Sequence, residues 1–281
     1  MDAKFHPAIK VINSGDLEGL KALIDQDPSL ATARSSTSHP TLLQCLVLDG
    51  LHLPNKVEMA QVLIDAGANI NGGLAAAASI DNVECAKVLL DAGADVNGTG
   101  GWSPLEEALY WGNHGLIDLL LERGASMHNL RVAAGLGKVD LIESFFNPDG
   151  SLKETAGKID WPFGDLTCLQ QPDKEASDRQ NIINNAFIYA CAHNQIEAAK
   201  LLLQKGAEIN AIPPGFDYAG TALHNAALKG HRDMVDFLLE QGADPNIKDE
   251  KVHNTAAGWA DYGGYKDLRD YLLGRSSVAE S

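Results

Sequence analysis

A short phrase recurs along this chain, and each time it ends a run of leucines. Gly67-Ala68-Asn69-Ile70-Asn71 follows Val62-Leu63-Ile64, and Gly93-Ala94-Asp95-Val96-Asn97 follows Val88-Leu89-Leu90. Gly206-Ala207-Glu208-Ile209-Asn210 follows Leu201-Leu202-Leu203, and Gly242-Ala243-Asp244-Pro245-Asn246 follows Phe237-Leu238-Leu239. Gly124-Ala125-Ser126 is a weaker copy. A unit this short cannot enclose a core of its own, so copies at near-constant spacing must bury their apolar faces on one another. The repeat therefore fixes a stacked architecture while naming no substrate or partner.

The fullest copy runs from Thr221 to Asn246, and its residues have physical jobs. The Thr221 hydroxyl can accept the free N–H groups of a first helical turn. Leu223, Ala226 and Ala227 give that helix a stripe of small apolar residues, so a neighbour can approach closely. Gly230 allows the tight turn into a second, antiparallel helix. Val235, Leu238 and Leu239 have the i, i+3, i+4 spacing of one buried face. Gly242 stands where a glycine stops a helix.

Thr221-Ala222-Leu223-His224-Asn225-Ala226-Ala227, Gly230-His231, the Val235 to Leu239 helix and Gly242-Ala243-Asp244-Pro245-Asn246 together resemble the ankyrin repeat. That resemblance implies an all-α solenoid of about eight helix-turn-helix units with short β-turn fingers, well over the roughly three needed for a stable stack. The first unit uses His6-Pro7 and Leu20 to Ile24, the second Thr41-Leu42-Leu43 and Val57-Glu58-Met59, and the third Leu74, Ala77, Ala78 and Asn82-Val83. The fourth is Ser103-Pro104-Leu105 with Leu116 to Leu121, and the fifth Asn129-Leu130 with Leu141 to Phe146. The sixth begins at Asn185-Ala186-Phe187, the seventh is the full copy, and the eighth runs from Thr255 to Leu273. The expected organisation is a single domain over 1–281: repeats one to five in 1–146, an insertion in 147–181, repeats six to eight in 182–273, and a flexible tail in 274–281. The tail of the eighth unit, Gly258-Trp259-Ala260-Asp261-Tyr262-Gly263-Gly264, resembles the last repeat of many bacterial ankyrin-repeat proteins, which implies a bacterial source.

Departures from the pattern are informative. Gly67 and Gly93 are 26 residues apart, against about 33 for an ankyrin unit, which leaves little room for a projecting finger. Gly206 and Gly242 are 36 apart, so the finger at Ala211 to Gly220 is long. Leu51 to Lys56 is an insertion between the helices of the second unit. The largest break, Asn147 to Asn181, carries Trp161-Pro162-Phe163, an apolar tip of the kind that docks back onto a surface. If docked near Trp111 and His193, it would turn an open groove into a pocket.

A net charge of −16 with no basic run excludes the cation-driven phosphate binding that nucleic acids and anionic membranes require. Cys45, Cys85, Cys168 and Cys191 lack close pairs and read as free thiols in a reducing compartment. The start of the chain has no basic region followed by an apolar run, and no stretch is apolar enough to span a membrane, so a cytoplasmic location is expected. Phosphate-loop, zinc-protease, Cys-x-x-Cys and nucleophile-elbow motifs are missing, and no metal or cofactor is expected. His224 occupies the repeat's own histidine slot, whose usual role is to hydrogen-bond the finger backbone, and His231 fills the Gly-His turn. His6, His39 and His253 lie near helix starts. His193 stands where the consensus is free and is a candidate ligand or general base, although one histidine without a partner performs no acid–base chemistry.

Ankyrin stacks bind on a concave side formed by the fingers and the first helices. The register places there Asn13 and Ser14, Leu48 and Asp49, Ser79 and Ile80, Tyr110 and Trp111, Gly135 and Leu136, Ala192 and His193, Leu228 and Lys229, and Tyr262 and Gly263. Trp102 precedes the fourth first helix, and Phe216, Asp217 and Tyr218 belong to the long finger. The candidate binding residues are Trp102, Tyr110, Trp111, His193, Tyr218, Lys229 and Tyr262. The three aromatics of the fourth unit should converge as a binding anchor; the competing reading packs Trp111 beneath its finger or the insertion. Glu106 and Glu107 point differently on the helix and form no acid–base dyad. The expected function is a non-enzymatic module recognising a protein partner. The alternatives are an enzyme or small-molecule binder using His193, Asp217, Tyr218, Tyr110 and Lys229, and an acidic inhibitor or immunity-type protein.

Overall fold

The computed structural model describes residues 2–36, 40–159 and 178–278. Among them no strand forms, and two isolated antiparallel bridges join Phe146 to Leu152 and Lys248 to Thr255. The chain divides into two compact units at Ser126 and Met127.

The first unit is built from hairpins of α1 (His6–Asn13) with α2 (Leu17–Gln26), α4 (Leu42–Asp49) with α5 (Lys56–Asp65), α6 (Ile70–Ser79) with α7 (Val83–Asp91), and α8 (Pro104–Trp111) with α9 (His114–Glu122). A single turn, α3 (Ser29–Thr32), follows α2. First helices pack in the order α1, α4, α6, α8, and second helices in the order α2, α5, α7, α9. The second unit repeats the scheme with α10 (Leu130–Gly135) and α11 (Val139–Ser144), α12 (Arg179–Ala192) and α13 (Ile196–Gln204), α14 (Ala222–Leu228) and α15 (Arg232–Glu240), and α16 (Ala256–Tyr262) and α17 (Lys266–Val278). Here α10, α12, α14 and α16 pack in sequence. Every hairpin expected from the register is therefore present.

The alanine pairs Ala77-Ala78, Ala226-Ala227 and Ala256-Ala257 are buried and let successive first helices approach closely. Leu63, Leu89 and Leu120 in the first unit, and Leu202, Leu238 and Leu272 in the second, are fully buried from the second helices. Each contributes roughly 1.5–3 kcal/mol by leaving water.

Two polar ladders explain why the recurring phrase is spelled as it is. At its glycine the helix closes: Gly242 has φ +93°, its N–H meets the Leu239 carbonyl, and the Ala243 N–H meets Leu238. The Asp244 carboxylate then accepts the Asn246 N–H at 2.8 Å, and the Asn210 side chain of the preceding repeat accepts the Asp244 N–H at 3.0 Å. The first unit repeats this: Asn71 accepts Asp95 N–H at 2.8 Å, and Asn97 accepts Ser126 N–H at 2.7 Å. A second ladder runs through the turns between helices. Asn55, Asn82 and Asn113 each donate to a carbonyl of the preceding repeat, Gly15, Val47 and Ala78, at 2.7–2.9 Å. The His231 Nε2–H does the same to Ala192 at 2.9 Å.

The irregular repeats follow their spacing. In the short third unit the Asn69 side chain accepts the Gly72 N–H at 3.1 Å, so α6 starts at once and leaves no finger. The sixth unit differs from expectation: α12 begins at Arg179 rather than Asn185, because Asp178 caps it by accepting the Asn181 N–H at 2.8 Å. The long finger also differs. It folds onto α12, with Asn185 donating to the Pro214 carbonyl at 2.9 Å and the Phe216 ring tilted against Tyr189 at 5.2 Å. Phe216 is thus half-buried against the core of the second unit.

Candidate functional site

The fourth repeat gathers its aromatics around one carboxylate. α8 starts with a reciprocal cap, in which Ser103 accepts the Glu106 N–H at 3.2 Å and Glu106 accepts the Ser103 N–H at 2.9 Å. Glu106 is thereby committed to the helix start and is 1% exposed. The next residue points elsewhere. Glu107 accepts the Trp102 indole N–H at 2.7 Å on Oε2 and the Trp111 indole N–H at 2.8 Å on Oε1. Tyr110 stands nearly perpendicular to both indoles, 6.2 Å from Trp102 and 5.1 Å from Trp111. Burial pushes the Glu107 carboxyl up, partly offset by the two indole hydrogen bonds. Trp111 keeps 40% of its surface exposed. The sequence brings the three rings together, but Glu107 as their common holder is a structural finding. The signal available was its place four residues before Trp111, where helical side chains meet.

In the second unit His193 and Lys229 are the C-caps of α12 and α14, the same register position in consecutive repeats, and Tyr262 is the last residue of α16, one position earlier in its repeat. His193 is the half-buried C-cap of α12. Burial lowers the Lys229 pKa, and Tyr262 is 84% exposed. Tyr218 stands on the long finger, edge-on to Trp259 of α16 at 6.2 Å with the Lys251 ammonium 4.7 Å above its ring. Lys251 also pairs with Asp217 at 2.9 Å, which ties the seventh and eighth fingers together and occupies Asp217. His224 fills its expected structural role: Nδ1 accepts the Thr221 N–H at 3.2 Å, and Nε2–H donates to the Asn254 carbonyl of the next finger at 3.1 Å. Burial lowers its pKa, which suits a neutral ring.

Two open depressions lie elsewhere, one of about 500 Å³ along His6, Ile9, Lys10, Asn13 and Ser14, the other of about 420 Å³ along Lys200, Leu203, Gln204, Phe237 and Gln241. The first includes Asn13 and Ser14 of the expected concave side; neither is lined by Trp102, Tyr110, Trp111, His193, Tyr218, Lys229 or Tyr262, and neither is enclosed. Among the described residues no group of three or more His, Cys, Asp or Glu is placed to hold a metal ion, and no helix is long and apolar enough to cross a membrane. Cys45, Cys85 and Cys191 are buried free thiols, with burial pushing Cys45 up to about 11. Trp161-Pro162-Phe163, Cys168 and His39 lie outside the described residues.

A family model described as Ankyrin repeats (3 copies) matches residues 53–131 and 130–249. Over 83 residues, 30% of this chain, the sequence is 40% identical to a probable E3 ubiquitin-protein ligase XBOS34 of Oryza sativa subsp. japonica, covering 16% of that protein. It is 38% identical over 77 residues to palmitoyltransferase ZDHHC13 of Mus musculus, 27% of this chain and 12% of that one. It is 35% identical over 91 residues to ankyrin repeat and SOCS box protein 6 of Mus musculus, 32% of this chain and 21% of that one. The matched stretches span about a fifth or less of these relatives. They come from a plant and a mammal, and give the bacterial expectation no support.

Proposed function

Because the chain belongs to the ankyrin-repeat family, we propose that it is a non-enzymatic binding module that holds a protein partner against Trp102, Tyr110 and Trp111. The observation that carries this is the Glu107 carboxylate, which fixes two indoles at 2.7 and 2.8 Å while Trp111 stays 40% exposed. A tryptophan already held in one rotamer loses little further entropy on binding and offers a large amphipathic surface. Such anchors dominate interface energies, with truncation costing about 2 kcal/mol or more. The partner is a protein rather than a nucleic acid, since a chain of charge −16 repels phosphates.

Affinity capture with the wild-type chain and with Trp111→Ala, compared by quantitative mass spectrometry, tests this. About 2 kcal/mol corresponds to a roughly 30-fold loss of affinity, which should remove the specific partner from the variant's eluate. Trp111→Ala should keep the wild-type helical signal, because the ring is exposed. Capture of every wild-type partner at undiminished yield by a folded Trp111→Ala chain would overturn the proposal.

A further inference from the structure

Both Glu107 oxygens accept an indole N–H, as those of a carboxylate do, and no cation of the described chain pairs with it. Its two hydrogen-bond donors, the indoles of Trp102 and Trp111, are neutral, and no cation acts on it. The only Lys or Arg between Lys87 and Arg131 is Arg123, which pairs with Asp91 at 2.9 Å. A carboxylate has about four acceptor positions, and the indoles take two. Around it stand three aromatic rings in near-perpendicular pairs at 6.2 and 5.1 Å, whose faces carry the negative side of the ring quadrupole. The two indoles meet Glu107 through their N–H edges, so the negative character of the site comes from the carboxylate. The surrounding unit adds to this, since residues 1–126 carry sixteen Asp and Glu against seven Lys and Arg.

An apolar occupant would cover the carboxylate without balancing it, and desolvating an unpaired charge is costly. An anion would be repelled. A cation balances the carboxylate and finds aromatic rings beside it. We infer that the site receives a cationic side chain, a lysine or arginine carried on a basic segment of the partner, an inference that rests on the binding-module reading above. Trp102 and Trp111 then supply the walls, and Glu107 supplies the charge while keeping the two indoles in place.

The test follows indole N–H signals of the full ¹⁵N-labelled chain by NMR, with Trp102 and Trp111 assigned through Trp→Phe variants. The probe is a Gly/Ser-flanked peptide bearing one central lysine, beside the same peptide bearing norleucine, which has a similar length and no charge. The lysine peptide should shift both indole signals saturably, and the norleucine peptide should bind at least about tenfold more weakly. Glu107→Gln should weaken the lysine peptide at least about tenfold, and should weaken the norleucine response by less, since the amide still accepts one indole N–H. Because the peptide swap needs no protein variant, it decides the matter even if Glu107→Gln perturbs the fold. Equal responses to the two peptides, or no shift by the lysine peptide up to about 10 mM, would overturn the inference. The two readings fail differently. If captured partners are lost with Trp111→Ala but retained at full yield by a folded Glu107→Gln chain, the cation inference falls and the binding module stands. If capture survives Trp111→Ala, the binding module falls first.

Discussion

Asp249 lies at the root of the eighth finger, 1% exposed, and accepts four hydrogen bonds. Lys251 N–H at 2.9 Å and Val252 N–H at 2.7 Å meet Oδ1, while Asn254 N–H at 2.9 Å and the Trp259 indole at 3.0 Å meet Oδ2. Burial pushes its carboxyl up, but these donors overcome burial and hold it at about 2, against an ordinary 3.8. A depressed value in the folded state means that the charged form stabilises the fold above pH 3.8, and that this contribution fades as pH falls toward 2. At roughly 1.4 kcal/mol per unit the charge contributes about 2 kcal/mol at neutral pH, of which about half has gone near pH 3. Asp249→Asn removes the charge at every pH. Urea unfolding followed by circular dichroism should show the variant about 2 kcal/mol less stable at pH 7 and about 1 kcal/mol less stable at pH 3. Other carboxylates titrate equally in both proteins and cancel. A gap below about 0.5 kcal/mol at pH 7, or one that does not narrow on acidification, would refute the assignment of this charge to the finger's backbone donors.

The same measurement checks two further substitutions. Gly93 and Gly215 both have positive φ, +92° and +98°, but an added methyl at Gly93 meets nothing within 4 Å, whereas at Gly215 it comes within 2.7 Å of Ile159 and 2.8 Å of Asn185. Gly93→Ala should cost about 1–2 kcal/mol for its backbone alone, and Gly215→Ala about 1–3 kcal/mol more, as the docked finger is forced off α12; equal losses would argue against that docking. Asn82 is 2% exposed, donates to the Val47 carbonyl at 2.9 Å and accepts the Cys85 N–H at 3.2 Å. Asn82→Ala removes a helix cap and strands a buried carbonyl, at about 2–3 kcal/mol, and a loss under 1 kcal/mol would show that water replaces both bonds.

Glu107 and the long finger show where reading from the sequence stopped. The fourth repeat's aromatics could be grouped from their register, because three and four residues along a helix bring side chains together whatever lies beyond. That the carboxylate between them would swing to both indoles depends on rotamers, and the finger segment that brings Trp102 back over α8 sets those. Where Phe216 packs depends on the tertiary structure for the same reason. Its finger has no helical period, and only the surface of α12, through Tyr189 and Asn185, gives it somewhere to dock.

The leucine runs, the paired alanines, the helix-ending glycines and the asparagines of the recurring phrase determined the hairpins and their order within each unit. Each repeat contacts chiefly its immediate neighbours, so the information needed to fold it lies within a few dozen residues of sequence. The tertiary structure alone decided which polar groups found partners: Glu107 two indoles, Asp249 the donors of a finger, and Asn185 a proline carbonyl twenty-nine residues away. A buried polar atom is satisfied by whatever donor or acceptor the packed chain brings within about 3 Å, and a linear pattern of residue types does not contain that distance.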